Sequence, residues 1–390
     1  MTANTWWGAP SRQSQVKTGI VVEYFTQWAR VMAGNAREHA HWPDEMAYVD
    51  LFAGRGFYGD DTPSTPLRVI QAATSLPEVR ERIRIWLNDA HRGYYEQLQR
   101  AVDSLDATAL LSRRPRVTNL EVSPEMVRDR ITPRPATLFF LDPWGYKGLS
   151  LELVRRAVTA QGSECILFFN FNRIYMGVDN PCVEAHMNSL FGEERFREMM
   201  PIFHDMERGE REEFLMTQAR LALQEAGADF VLNFRFLNDS GGRTSHYIIH
   251  VTEGELGDDI MRGVMKNHGT PTADGIAEFM YDPNRDGQTR MTLFDGHGEL
   301  GNQIYTLLAG ESFLSMREIY RRYRDRSASR KGITPSDVKE ALKALELDQK
   351  IEANPPASQR PWRNGQPTFS DDVRVSFPVQ KERPNGRLED

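Results

Sequence analysis

The sequence is poor in cysteine, in long apolar runs and in positive charge, and each shortage removes a class of protein. Only Cys165 and Cys182 occur in 390 residues, with no C-x-x-C and no Cys/His spacing of a metal site. Neither a disulfide framework nor a structural zinc site is supported, no metal is expected, and two free thiols fit a reducing compartment. No apolar run approaches the roughly 18 residues of a membrane span, and the segment from Met1 to Trp7 lacks a basic-then-apolar signal pattern. The expectation is a cytoplasmic protein. Lys and Arg total 48 against 55 Asp and Glu, a net charge of −7, which counts against a chain coated for nonspecific nucleic-acid binding. The charge is uneven, because residues 301–390 carry a net +3 and the first 300 carry −10. The densest basic run extends from Arg321 to Lys331 and reads first as a solvated helix end, with phosphate contact next.

What is present is an alternation of short apolar, β-rich runs with amphipathic segments. The runs are 47–52, 83–87, 116–122, 136–141, 164–171, 230–237 and 245–252. Helical patterns fall at 15–32, 65–74, 94–111, 149–159, 183–191 and 212–225. This spacing predicts an α/β fold, a doubly wound, Rossmann-like and mostly parallel sheet of about seven strands. The sixth and seventh runs are joined only by a turn-rich linker, Asn238 to Arg243, so they predict a hairpin with the last strand antiparallel. That is the shape associated with S-adenosylmethionine-dependent methyltransferases. Three regions follow: an N-terminal helical segment over 1–45, the sheet domain over 46–281, and a small winged-helix-like domain over 299–380. In the last, Thr334 caps a helix with Pro335 at its first position, and strands at 350–351 and 373–377 flank a wing. Such a module binds nucleic acid or docks protein.

The first chemical constellation runs from Tyr48 to Gly59, a strand entering a glycine-rich turn. Gly54, Gly56 and Gly59 satisfy G-x-G-x-x-G, which raises a nicotinamide enzyme as a reading. That fingerprint needs an acid about 20 residues on, whereas Asn88-Asp89 come about 35 after Gly54. Asp50, inside the strand, fits the methyltransferase arrangement, in which the turn backbone meets the amino-acid end of the cofactor and the acid receives its ammonium. Asp50, Phe52, Ala53, Gly54 and Gly56 are therefore candidate cofactor contacts. Asn88 or Asp89 at the end of the second strand is a candidate for the ribose hydroxyls, and Asn119 and Glu121 on the third are candidates to face the adenine.

The second constellation is Asp142-Pro143-Trp144-Gly145-Tyr146 at the end of the fourth strand. A carboxylate and a proline carbonyl can accept both hydrogens of an NH2 group, and an aromatic face can stack on its heterocycle. Asp142, Pro143 and Trp144 are the candidate catalytic residues. Tyr146, together with Asn170, Asn172 and Arg173 on the fifth strand, would line the acceptor pocket, with Met176 read as core. His246 and His250 lie in an apolar alternating run and read as satisfied core histidines.

Together these stretches resemble the three-Cys-motif partner protein family of bacterial proteins. The matching pieces are Lys17-Thr18 with Tyr24, Tyr48 to Gly54, Pro66-Leu67, Phe140 to Gly148, Asn170 to Arg173 and the region from Gly257 to Met265. The sequence departs from the family pattern at Ser64-Thr65-Pro66, where Gly-Ser-Pro is usual, and at Asn88, where an acid is common. The resemblance implies a methyltransferase fold and a partner carrying three cysteines, of iron-sulfur type. D-P-W-G is also similar to the D-P-F-G of tRNA guanine amine methyltransferases. The function expected is S-adenosylmethionine-dependent methyl transfer to a planar amine, above all an exocyclic nucleobase amine in RNA or DNA. The alternative is a non-catalytic protein of the same fold that docks a three-cysteine partner or regulates a nucleic-acid transaction.

Overall fold

The computed structural model describes residues 8–131, 135–239, 242–270, 278–285, 296–326, 332–363 and 366–379. The chain divides into two units, one of residues 1–268 with 279–286 and one of residues 269–278 with 287–390.

The large unit is built on eight strands: β1 (Met46–Asp50), β2 (Ile83–Asn88), β3 (Arg116–Thr118), β4 (Ala136–Leu141), β5 (Glu164–Phe169), β6 (Phe230–Leu237), β7 (Thr244–Thr252) and β8 (Met280–Tyr281). Eleven helices accompany them among the described residues: α1 (Arg12–Glu38), α2 (Thr65–Thr74), α3 (Pro77–Arg80), α4 (Arg92–Ser104), α5 (Pro124–Arg130), α6 (Leu151–Val158), α7 (Phe171–Gly177), α8 (Glu184–Phe191), α9 (Glu193–Asp205), α10 (Arg211–Glu225) and α11 (Glu255–His268). The strand order is β3-β2-β1-β4-β5-β7-β6-β8. Neighbours from β3 to β5 run parallel, and β7 is antiparallel to both β5 and β6. This is the doubly wound methyltransferase sheet with its reversed seventh strand; the short β8, parallel to β6, adds an edge that the alternation did not announce.

Burial explains the order. All six residues of β4 are buried, as a central strand covered on both faces requires. One face packs under α1, whose stripe of Ile20, Val21, Tyr24, Phe25, Trp28, Ala29 and Met32 recurs at helical spacing. The other face packs under α6 to α10 around Leu153, Phe191, Phe203 and Leu215. α1 thus supplies part of the sheet's core. Ser11 starts this helix by accepting the Ser14 N–H.

Several element boundaries differ from expectation, and for two strands a side chain shows why. β3 stops at Thr118, because the Leu120 N–H turns inward to the Asn88 side chain. β5 stops at Phe169, because Asn170 caps α7 by accepting the Arg173 N–H.

The small unit holds α12 (Gly296–Leu308), β9 (Leu314–Ser315), α13 (Met316–Arg326), α14 (Pro335–Leu347), β10 (Glu352–Asn354), β11 (Trp362–Arg363), β12 (Gln366–Pro367) and β13 (Arg374–Ser376). Its three-stranded sheet runs β10-β13-β9, with the first wing strand at 352–354 rather than 350–351, and β11 pairs with β12 within the stretch between β10 and β13. Thr334 and Asp337 close a reciprocal capping box on α14. Ile304, Leu308, Ile319, Val338 and Leu342 form its core. The hairpin tip 240–241, the interdomain stretch 286–295 and residues 327–331 of the basic run lie outside the described residues. No helix among the described residues is long and apolar enough to cross a membrane.

Candidate active site

The strand order reverses between β1 and β4, where a crevice opens at the carboxyl ends of open α/β sheets. β1 ends at Asp50, whose Oδ1 accepts the Phe52 N–H at 3.1 Å and so ties its own turn. Gly54 has φ +67° and Gly56 φ +91°, left-handed positions that favour glycine. A Cβ on Gly56 would stand 2.7 Å from the Ala101 Cβ, so α4 also demands a glycine there. The Gly56 carbonyl accepts the Ser64 N–H at 2.7 Å, which brings the start of α2 beside the turn. Ser64 Oγ is buried there and has no hydrogen-bond partner.

Asp50 is 1% exposed. Burial pushes its pKa well above the ordinary carboxylate range; the Phe52 N–H opposes this, the Asp142 and Asp89 carboxyls add to it, and Lys17 pulls the other way. Burial likewise raises the Tyr48 phenol, with Asp50 and Asp142 next in effect.

The end of β2 separates its two candidates. Asn88 is fully buried and its amide is committed: Nδ2 donates to the Leu51 and Leu120 carbonyls, each at 3.0 Å, while Oδ1 accepts from Thr118 Oγ1 at 2.8 Å and Leu120 N–H at 3.0 Å. It rivets the ends of three strands together and presents no free donor to a ligand, which corrects its assignment as a ribose contact. Asp89 holds the crevice-side position. Its Oδ2 accepts the Gly54 N–H at 3.0 Å and its Oδ1 the His91 N–H at 2.8 Å. Burial raises its pKa, opposed by those two backbone donors. Each oxygen keeps a lone pair. Asn119 uses its amide N–H groups on the Asp89 and Ala90 carbonyls, at 2.8 and 2.9 Å, and so clamps that loop. The backbone of Phe52 and Ala53 completes the turn, the Ala53 N–H donating to the Asn88 carbonyl at 2.9 Å.

At the end of β4 stands a group that spacing did not announce. Lys17 Nζ on α1 donates to Asp142 Oδ2 at 2.5 Å and lies 4.7 Å from the Phe168 ring centroid. Burial alone would lower the Lys17 pKa, but the Asp142 carboxylate, followed by Tyr58 and Asp50, together outweigh it and the net shift is upward. Pro143 is buried, whereas Trp144 is 60% exposed at the crevice. Gly145 (φ +104°) lies under Arg173, whose Cδ would be 3.2 Å from a Cβ there. Tyr146 packs against His186, with ring centroids 5.5 Å apart.

Asn170, Asn172 and Arg173 are brought to the same edge, but as the cap and first turn of α7 rather than as strand residues. Asn170 spends its carbonyl on that cap; Asn172 and Arg173 are exposed. Met176 is 78% exposed, not core, because it lies on the outer face of this short helix. His246 is stacked on Phe236 at 4.3 Å and bonded to Ser245 Oγ at 2.8 Å. Burial, and then the Lys17 ammonium, push its pKa down to about 3. His250 is not the satisfied histidine expected, since its Nδ1 is buried without a partner.

The arrangement places a glycine turn with two carboxyls on one side of the crevice and a D-P-W turn paired with a lysine on the other. Asp50 faces Phe140 across the β1–β4 ladder, two residues before Asp142. Sequence reasoning missed Lys17 and His246 as members of this edge. Lys17 appeared only within a matched stretch, on the polar flank of an amphipathic helix.

No family model matches the chain, and no curated protein matches it. Among solved structures it is similar to a Legionella pneumophila protein, with 13% identity over 60% of this chain and 85% of that one and a TM-score of 0.35. It is also similar to a precorrin-6y C5,15-methyltransferase of Geobacter metallireducens, with 13% identity over 58% and 87% and a TM-score of 0.28. The N-terminal domain of human METTL16 in complex with SAH matches with 9% identity over 59% and 68% and a TM-score of 0.28. At such identities the likeness concerns fold alone, and the chain's own strand order carries the architecture: a doubly wound α/β sheet of methyltransferase type.

Proposed function

We propose that the large unit is an S-adenosylmethionine-dependent methyltransferase whose acceptor is a planar amine, an exocyclic amine of a nucleobase in RNA or DNA. The observation that carries this reading is the pairing of β1 and β4, which sets the Asp50–Gly56 turn and the Asp142–Trp144 turn side by side at the sheet's reversal. The residues present suit the cofactor. Asp50 is a buried carboxyl with only one backbone donor, suited to an ammonium group. The lone pairs of Asp89 suit a ribose diol, and the partnerless Ser64 Oγ beside two left-handed glycines offers a further polar contact. When bound, S-adenosylmethionine supplies an electrophilic methyl carbon on sulfur.

The protein's part is positioning. Asp142 and the Pro143 carbonyl accept the hydrogens of the acceptor NH2, leaving its lone pair aimed at the methyl group, while Trp144 covers the heterocycle. The cofactor would be held by Asp50, Asp89 and the Gly54–Gly56 turn and would supply the methyl group, and the proton lost by the acceptor nitrogen would pass by way of the Asp142 carboxylate to solvent. Lys17 shares the Asp142 carboxylate, so that group holds the acceptor with one oxygen while the other stays on the ammonium.

A second reading, a docking protein of the same fold that engages a three-cysteine partner, is favoured by one observation: the Lys17–Asp142 pair already occupies the acceptor carboxylate. Titration of the purified chain with S-adenosylmethionine, S-adenosylhomocysteine and NADH separates the readings. Binding of the first two, weakened in Asp50→Ala, supports the methyltransferase. It is followed by tritium transfer onto RNA, DNA and free nucleosides. Binding of none supports docking.

A further inference from the structure

A second site lies at the opposite edge of the same sheet, where β5 begins and β7 ends. There the large unit encloses a cavity of about 420 Å³, with Tyr24, Trp28, Met32, Trp42, Glu164 and Glu253 among its walls. The volume is that of a small-molecule pocket rather than a packing defect. Three of these residues are aromatic, and none of the residues lining the cavity is a lysine or arginine.

Glu164 sets the chemistry. It is 5% exposed, and its Oε2 accepts from the Tyr24 hydroxyl and, at 2.8 Å, from His250 Nε2. The Tyr24 phenol is held protonated, since burial and then Glu164 push its pKa well above the usual value. The His250 ring is completely buried and its Nδ1 has no partner, so a protonated ring would leave an N–H orphaned in the core. On α11, Gly257 passes so close that a Cβ would stand 2.5 Å from Glu164 Oε1, and Asp258 is taken by Arg262 at 2.7 Å. Among the described residues, no lysine or arginine forms an ion pair with Glu164. Buried carboxylates are ordinarily matched by a cation, because neutral donors satisfy hydrogen bonds without balancing charge. Aromatic faces attract the same kind of ligand. Tyr24, Trp28 and Trp42 in the walls suit an organic cation, and among the described residues no group of three or more His, Cys, Asp or Glu side chains is placed to hold a metal ion.

We propose that this cavity binds a small organic ammonium ion, its charge directed to Glu164 and its apolar body against Trp28 and Trp42. The site is separate from the Asp50–Asp142 edge, and α1 reaches both, with Lys17 at one and Tyr24 at the other.

The test uses the full chain, with isothermal titration and tryptophan fluorescence. The probes are tetramethylammonium, 2-phenylethylammonium and the neutral isostere 2-phenylethanol. At least one cation should saturate the protein and bind about tenfold more tightly than the alcohol. Glu164→Gln should remove about that tenfold preference. Leu256→Trp, at a lining position that is 57% exposed, narrows the mouth without touching the buried network and should weaken binding if Glu164→Gln fails to fold. Asp50→Ala should leave amine binding unchanged, so the result stands apart from methyl transfer. The proposal is overturned if neither cation saturates, if the alcohol binds as well as the amine, if folded Glu164→Gln or Leu256→Trp binds like the parent, or if zinc binds stoichiometrically and displaces the amine.

Discussion

The two halves of the carboxyl edge use their polar side chains in opposite ways. On the β1–β2–β3 side, Asn88 makes four hydrogen bonds, Asp89 two, Asn119 two and Asp50 one, all to neighbouring turns and strand ends. On the β4–β5 side, Asp142 is tied to a single lysine, while Trp144, Asn172 and Arg173 stand exposed. A half that spends its polar groups on itself is a rigid cradle; a half that leaves them facing solvent is where a variable ligand enters. The contrast fits a constant cofactor on one side and an acceptor on the other.

The sharpest way to break that comparison is Asp142→Ala. Methyl transfer to whichever RNA, DNA or nucleoside acceptor is found should fall by about a thousandfold, as expected when a transition-state contact is removed, while S-adenosylhomocysteine affinity changes by less than about threefold. Loss of both together would place Asp142 in the cradle. Next in size is Asn88→Ala, which strands several buried backbone groups. It should cost about 3 kcal/mol in thermal or denaturant unfolding, whereas Asn172→Ala on the open half should stay within about 0.5 kcal/mol.

A smaller effect concerns protons. Burial raises the Asp50 pKa, and an ammonium placed beside it pulls that pKa back down, so between the two values binding releases a proton. S-adenosylhomocysteine should therefore show buffer-dependent heat, tighten as pH rises toward the ligand-free Asp50 pKa, and lose that proton signal in Asp50→Asn. Folding linkage has a consistent sign. Because the folded pKa is raised, the Asp50 contribution is full below its unfolded pKa and is lost as pH rises through the folded value, and ligand restores it. Smallest is Lys17→Met: removing the ammonium should move the His246 pKa upward from about 3, read by NMR titration of the ring.

How far the sequence could be read follows from the range of each interaction. The strands and their doubly wound class were legible, because alternation and helix spacing are local signals and the turn after β6 is short. The two turns that frame the crevice were legible as well, since a glycine run or D-P-W at a strand end is itself a local feature. Asn88 was not, because an amide at a strand end looks the same whether it faces a ribose or bonds Leu51, Leu120 and Thr118. The Lys17–Asp142 pair joins residues 125 apart, and nothing in the spacing of either announces it. Alternation carries the fifth strand too far because Phe168 to Phe171 continues its apolar pattern past Asn170, and only the cap bond to Arg173 shows where the helix starts. The partnerless Nδ1 of His250 was hidden for the same reason: the pleat shows that a histidine points inward, not what meets it.

The measurement that tests the central claim most directly is isothermal titration of the full chain with S-adenosylhomocysteine beside Asp50→Ala. The account predicts stoichiometric binding by the parent, weakened about tenfold or more in the variant because a charge-assisted contact is lost. Absence of binding by the parent, or equal binding by a folded Asp50→Ala, would contradict it.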